Sequence, residues 1–337
     1  MNLPTFTGTP LAVGQAVGET YRDDIRGAYS RTLEGLPSGF SHEHLQKILL
    51  SGWYLTRREF PAVAAELAGM AEGSGLRPLA LFLSWYGELL DIEEMRGCTD
   101  IAATGTATRN GKALLGHNND MDNRTATEVF RLAVDGQPTV LSFSCDGAPN
   151  AGTNSAGLAF GGNTLTNIDI RWGGIPRLVL FRAALAAQSI EEALRISLHP
   201  LRTSSYNNIF ANDQGQIINE EGSATSAAGV WLRDGVLSHS NHYALPEMHS
   251  YEGKKVPELM GSRVRKHRSK QLLEQVGQHT PETFRHILSD HVGWPNDSIC
   301  LHHDGKTVFS IITEPEDRVV WYCEGNPCEG RYTPIRY

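Results

Sequence analysis

The stretch MRGCTDIAATGTATRNGKALLGHNNDMD, residues 95–122, holds residues whose types and order could do covalent chemistry. Cys98 stands at its head, behind Gly97 and at the start of an alternating strand pattern. A cysteine in that place has an ordinary reading as a small buried hydrophobe. Its neighbours open a second one. Gly97 lacks a Cβ, so the peptide ahead of Cys98 can be strained and closely approached. A thiolate there could attack the Gly97 carbonyl, move the acyl group from nitrogen to sulfur, and let water release the residues ahead of Cys98. The new chain end would carry a thiol and an α-amine together. That amine has an ordinary pKa of roughly 7.7–8.0 and can act as base and acid near neutrality. Such a residue needs no separate histidine dyad, and no obvious one is present.

The same stretch admits metal chemistry. His117, Asp120 and Asp122 lie close together in HNNDMDN, and HHD at 302–304 could complete a hydrolytic metal site. Strand alternation opposes this, because it puts Asp120 and Asp122 on one face and His117 on the other. No H-E-x-x-H accompanies them. The five cysteines, Cys98, Cys145, Cys300, Cys323 and Cys328, are odd in number and scattered, which is no disulfide framework. Cys323 and Cys328 lack a matching second pair, so zinc is not expected. Neither a metal nor an organic cofactor is implied.

The elements around these residues change character at Cys98. Residues 1–97 read as mainly helical. Ser41 caps HEHLQKILLSGWYL, residues 60–76 form an Ala-rich helix closed by Gly73 and Gly75, and residues 79–95 are apolar around most of a helical circumference. From Cys98 to about Thr166 the chain is strand-like, with turns expected at Asn110-Gly111, Asp135-Gly136 and Gly161-Gly162-Asn163. Helices follow from Pro176 at a first helical position and from Ser189 with Glu192 as a capping box. Strands then resume, interrupted by helices near 257–276 and 281–289, the second starting at Thr280-Pro281. Blocks of strands between blocks of helices suit an α+β fold, with two antiparallel sheets face to face and helices outside. No G-x-G-x-x-G sits at a first strand–helix turn, which argues against a doubly wound parallel sheet.

Bulk properties exclude several classes. The formal net charge of −8 gives no electrostatic reason to bind nucleic acid or an anionic membrane. SRVRKHRSK, residues 262–270, reads as a solvated helix face. No apolar run is long enough to span a bilayer and no secretory leader is evident, so a cytoplasmic protein is expected.

RGCTDIAATGTATRNGKALLGHNNDMD resembles the nucleophile region of the cysteine N-terminal-nucleophile (Ntn) hydrolases. Within them it is most similar to the isopenicillin N acyltransferase (acyl-coenzyme A:6-aminopenicillanic acid acyltransferase) family. The pattern is Gly-Cys-Thr, a hairpin ending in Asn-Gly, then Gly-x-Asn-x-Asp. GTNSAGLAFGGNTL, GIPRLVLFRAALAAQSIEEAL, YNNIFANDQGQIINEEGS, SHSNHY, DSIC and EGNPC follow in order, and AAELAGMAEGSGL ahead of the cysteine is similar to the family's propeptide. The resemblance implies a four-layer αββα sandwich that cleaves itself at Gly97/Cys98. Residues 1–97 would be a propeptide that stays docked as a small subunit, and residues 98–337 the catalytic core. It implies Cys98 as nucleophile, Asp120 beside its α-amine, and Asn241 as an oxyanion donor. Thr99, His117 and Asn118 are candidates to touch substrate or support the site, with His117 either bonding a carboxylate or capping its strand. The implied partner is a small-molecule amide or acyl donor, with a coenzyme A thioester as substrate only, and a higher oligomer is compatible. Relatives often carry an arginine after the S-I-C motif, where this chain has Leu301, His302 and His303. Arg318 and Arg263 are the candidate replacements. A catalytically silent scaffold of the same fold is the competing reading.

Overall fold

The structure is a computed structural model that describes residues 3–36, 39–89, 97–295, 297–303 and 305–337. In chain order its elements begin with β1 (Thr5–Gly8), α1 (Pro10–Thr20), α2 (Arg22–Glu34), α3 (His42–Glu59), α4 (Pro61–Ser74) and α5 (Pro78–Ser84). Next come β2 (Cys98–Thr104), β3 (Leu114–Met121), β4 (Thr127–Val134), β5 (Val140–Cys145), β6 (Ala148–Asn154) and β7 (Leu158–Asn163). α6 (Arg177–Ala184), α7 (Ile190–Ser197), β8 (Asn207–Asn212), β9 (Ile217–Gly222), β10 (Ala227–Leu232) and β11 (Gly235–His239) follow. The chain ends with α8 (Met260–Gln275), α9 (Pro281–Leu288), β12 (His302–His303), β13 (Gly305–Glu314), β14 (Val319–Glu324) and β15 (Thr333–Arg336).

One sheet has the order β1-β4-β5-β6-β7-β8-β9-β10, and the other β11-β2-β3-β13-β14-β15 with β12 beside β13. All named pairings are antiparallel except β1 with β4. The apolar clusters give the layering. Phe130, Phe160 and Phe210 of the first sheet pack under Val13, Leu67, Phe82 and Val179 of the helices. Phe143 meets Phe309 and Tyr322 between the sheets, and Ala102 and Leu115 meet Ala159 and Ile209. Ile101 and Ile312 of the second sheet pack under Leu273 and Phe284 of α8 and α9. Helix, sheet, sheet, helix is the expected αββα sandwich.

The segment ahead of Cys98 is woven into this frame. β1 is an edge strand of the first sheet, hydrogen-bonded parallel to β4. That strand is absent from the sequence reading, because four residues with no apolar alternation carry little signal. α1 and α4 touch backbone to backbone: a Cβ on Gly14 would lie 1.9 Å from the Glu66 carbonyl oxygen, and one on Gly73 2.2 Å from that of Gln15. Gly73 is therefore a packing residue inside the helix. Gly75, in the left-handed region at φ 75°, closes it. Below this interface Glu66 of α4 accepts two hydrogen bonds from Arg182 of α6, at 2.8 and 2.6 Å, both side chains buried.

Several local expectations hold. Ser41 Oγ accepts from the His44 amide, Thr280 Oγ1 from that of Thr283, and Ser189 Oγ from that of Glu192, although the Glu192 carboxylate accepts from the Gln188 amide and the box with Ser189 is not closed. Others do not. Gly161 and Gly162 lie within β7 rather than in a turn, where a Cβ on Gly162 would meet the Asn207 carbonyl oxygen at 2.3 Å. Pro176 is the residue before α6, not its first. Of the helix expected over 79–95, the described part is α5 and a short 3-10 turn at Gly87–Leu89. Residues 90–96 lie outside the described residues.

Candidate active site

β2 and β3 pair with Cys98 opposite Asn119, Thr99 opposite Asn118 and Asp100 opposite His117. Strand alternation then sorts the site into two sides. The Cys98 thiol shares one face with Asn119, Asp100 and His117. Thr99, Asn118 and Asp120 share the other. The thiol sits 3.6 Å from Asn119 Oδ1, and Asn119 Nδ2 lies 3.2 Å from the Cys145 sulfur. On this side a cavity reaches Cys98, walled by Ile25, Leu81 and Trp85 of the N-terminal segment and by Thr164, Phe181 and Tyr206 of the core.

Behind the strand lies the apparatus that faces the backbone nitrogen of Cys98. Its N–H donates to Asn241 Oδ1 at 2.8 Å. Arg265 of α8 donates to the same oxygen at 2.8 Å, and Asn241 Nδ2 donates to the Thr164 carbonyl at 3.2 Å. The Asn241 amide thus turns its oxygen toward Cys98 in the intact chain, and its NH₂ toward the cavity wall. The Asp120 amide donates to the Gly97 carbonyl at 2.9 Å. Asp120 Oδ1 accepts from Thr307 Oγ1 at 2.6 Å, while buried Oδ2 has no hydrogen-bond partner. A Cβ on Gly97 would come within 2.8 Å of that oxygen, so glycine is what lets the carboxyl approach the Gly97–Cys98 peptide. A β-bulge between Thr307 and Phe309 of β13 brings Thr307 opposite Asp120.

Electrostatics follow from burial. Asp120 is pushed up to about 7 by loss of water, with Arg265, Thr307 and His117 opposing. Burial also raises the Cys98 thiol, Asp120 and Asp100 add to it, and Arg265 partly offsets them. The intact chain therefore holds a protonated thiol. His117 bonds a carboxylate, its Nδ1 lying 2.8 Å from Asp100 Oδ1. Burial works to lower its pKa, but Asp100 and Asp120 outweigh burial and raise it.

The family model described as acyl-coenzyme A:6-aminopenicillanic acid acyl-transferase matches residues 106–329, more than half of the chain. The chain belongs to this acyltransferase family. Asp120 and Asn241 fall inside the match, and Cys98 lies just ahead of it. A curated relative, the 40 kDa form of acyl-coenzyme A:6-aminopenicillanic-acid-acyltransferase from Emericella nidulans, is 25% identical over 96% of this chain and 92% of its own. Among solved structures, a mutant of conjugated bile acid hydrolase from Clostridium perfringens aligns at a TM-score of 0.47 and 15% identity, covering 71% of this chain and 97% of that one. Penicillin V acylase from Agrobacterium tumefaciens aligns at 0.40 and 10%, covering 67% and 83%.

Other residues of this family member lie elsewhere than the sequence suggests. Asn118 donates to the Leu288 and Ile299 carbonyls and Thr99 is fully buried, so both face the α9 layer rather than the cavity. β3 ends at Met121, and Asp122 lines the cavity while Asp120 lies behind the strand. They do not share a face. His302 groups with His291, Cys300 and Cys328 instead of joining His117, Asp120 and Asp122. Asp304 lies outside the described residues. Arg318 is engaged by Asp213 at 2.6 Å, and Arg263 lines a separate surface groove. Among the described residues, the cations at the Cys98 cavity are Arg31, paired with Asp146 at 2.5 Å, and Arg177, stacked 4.4 Å over the Tyr206 ring.

Arg265 is the main residue the sequence reading passes over. It belongs to the basic run 262–270, expected to be a solvated face, yet Ser262, Arg265, Ser269 and Leu273 make up the buried face of α8. The signal was available in Ser262 and Ser269, the two small residues of the run, which lie seven apart and share a helix face with Arg265.

Proposed function

We propose that the chain cleaves itself between Gly97 and Cys98 and then works as an N-terminal-cysteine amidohydrolase or acyltransferase on a small N-acyl amide or acyl thioester. One observation carries this reading: residue 98 turns its thiol into the cavity, while behind the strand its N–H donates to Asn241 Oδ1, Arg265 donates to that same oxygen, and the Asp120 carboxyl stands beside Gly97. A structural cysteine has no use for the second set.

In the first step the Cys98 sulfur bonds to the Gly97 carbonyl carbon, and the Gly97–Cys98 C–N bond breaks. The thiol proton is relayed through water to the ionised Asp120 carboxyl behind the strand, and from there to the departing nitrogen. Water then cleaves the thioester and leaves a carboxylate on Gly97. In turnover the same sulfur attacks the substrate carbonyl. The α-amine takes the thiol proton and returns it to the leaving amine, or to the leaving thiolate if the donor is a coenzyme A thioester. Water or an acceptor amine completes the cycle. Asn241 serves from both ends of its amide. Oδ1 holds the nitrogen of residue 98, and Nδ2, at the cavity wall, supplies the oxyanion donor, a contribution of about 2.7–4 kcal/mol in comparable sites. Arg265 balances the charge of Asp120, which keeps the amine from being locked in its protonated form. The released segment stays docked, because β1 is paired into the first sheet and Glu66 is tied to Arg182.

Intact-mass analysis and N-terminal sequencing of active material test this. Two fragments, the larger beginning Cys-Thr-Asp, are expected, and Cys98→Ala leaves one full-length chain without turnover. Processing that persists in Cys98→Ala, or amidase activity from an uncleaved chain, overturns it.

A further inference from the structure

We infer that His291, Cys300, His302 and Cys328 form a tetrahedral site for a zinc ion that fastens the loop after α9 to the loop after β14. Their ligand atoms all lie within 4.8 Å of one another. The individual separations are 3.6 Å between the two sulfurs, 3.4 and 3.3 Å from His302 Nε2 to Cys300 and Cys328, and 3.0 Å from His302 Nε2 to His291 Nε2. Bond lengths of about 2.3 Å to sulfur and 2.0–2.1 Å to nitrogen, set tetrahedrally, require edges of about 3.8, 3.5 and 3.3 Å. These four separations match that figure within a few tenths of an ångström, and the two from His291 to the sulfurs lie within 4.8 Å.

Hydrogen bonding does not account for the cluster. A neutral imidazole nitrogen offers either one hydrogen or one lone pair, yet His302 Nε2 has three neighbours at 3.0–3.4 Å. A disulfide does not account for it either, since the sulfurs stand well beyond the roughly 2.05 Å of an S–S bond. A cation at the centre satisfies all four lone pairs. Two thiols would release their protons to solvent on binding, and the two thiolates neutralise the ion. Asn326 Nδ2 lies 3.4 Å from Cys300 Sγ, a donor placed to hydrogen-bond a ligating thiolate, and the exposed Glu329 carboxylate stands 3.9 Å from His302 Nδ1, on the far side of the ring from the cluster and beyond hydrogen-bond distance. Four protein ligands close the coordination shell, which makes the site structural rather than catalytic. Leu301, between two of the ligands, donates its N–H to Thr307 Oγ1, the hydroxyl that in turn donates to Asp120. The site would thus steady the floor beneath Gly97.

The full chain, purified without chelator, is expected to hold about one zinc ion. Cobalt(II) added after chelator treatment should give the thiolate charge-transfer and intense visible bands of a tetrahedral sulfur-ligated ion. Cys300→Ser and Cys328→Ser should each weaken zinc binding at least tenfold in competition with a chromophoric chelator. The cobalt spectrum is read on the wild-type chain, so it stands even if a variant fails to fold. Wild-type protein with no zinc and no tetrahedral cobalt spectrum overturns the site. So does zinc content unchanged in both variants, or a mass two hydrogens light from a Cys300–Cys328 disulfide. Cys98→Ala protein serves equally well, so failure of self-cleavage and failure of this site are separable.

Discussion

Arg182 and Arg265 are both buried cations near a buried carboxylate, and they are used in opposite ways. Arg182 grips Glu66 with two hydrogen bonds, a fork-to-fork pair in which both carboxylate oxygens are occupied. Arg265 spends its bond on Asn241 and acts on Asp120 through charge alone, leaving Asp120 Oδ2 with no partner beside Gly97. A closed pair holds two layers together. An open one stores proton affinity next to the peptide proposed to break. Burying a charged group without satisfying it is costly, and here the cost falls where the proposed chemistry needs a carboxyl that titrates near neutrality.

Asp120→Asn should give the largest effect. It keeps the shape and removes the base, so self-cleavage is expected to slow by about 10²–10⁴-fold, read as the half-life of the full-length band. The wild-type rate should rise with pH through about 7 as Asp120 ionises, and the variant should lose that rise. Stability runs the other way. The folded pKa lies above the ordinary 3.8, so between those values the folded chain holds a proton the unfolded chain has lost. This contribution is full below pH 4, fades as pH climbs to 7, and disappears from the pH profile of Asp120→Asn. Glu66→Ala, at the closed pair, should instead cost about 3–5 kcal/mol in denaturant unfolding by stranding Arg182, with cleavage intact in folded material. The double change Glu66→Met with Arg182→Met should recover most of that loss. If Glu66→Ala stops cleavage in folded protein, the division of labour between the pairs is wrong. Gly97→Ala should cost about 1–3 kcal/mol as its Cβ displaces the Asp120 carboxyl, and should slow cleavage at every pH.

The two pairs were unequally legible in the sequence. Cys98, Asp120 and Asn241 stand in ordered motifs, and the β2–β3 hairpin announces itself by alternation and Asn110-Gly111. That was enough to foresee the sandwich. Arg265 hid inside a run of like charges, where composition points to solvent and only the burial of one helix face says otherwise. β1 was too short for periodicity to register, and Gly73 of α4 looked like a helix end until its partner backbone in α1 was in place. The set from His291 to Cys328 was hidden for another reason. His302 and Cys328 were weighed for metal only with other partners, and the set spans the segment from α9 to β12 and the loop after β14 with no repeated spacing, so only the folded chain brings it together.

Thr307→Val offers the smallest and sharpest test of the open pair. Thr307 Oγ1 donates to Asp120 and accepts from the Leu301 amide at 3.0 Å. Valine keeps the volume and removes both bonds. A hydrogen bond to an ionised group is worth about 1.5–3 kcal/mol, so its loss should move the Asp120 midpoint upward by about one to two pH units. Cleavage by Thr307→Val is then slow at pH 7 and recovers toward the wild-type rate when the pH is raised, because the carboxyl is still present and only harder to ionise. Asp120→Asn shows no such recovery at any pH. A Thr307→Val profile that drops uniformly without moving would mean that the proton in question sits on another group, and that Asp120 supports the turn at Gly97 by its backbone alone.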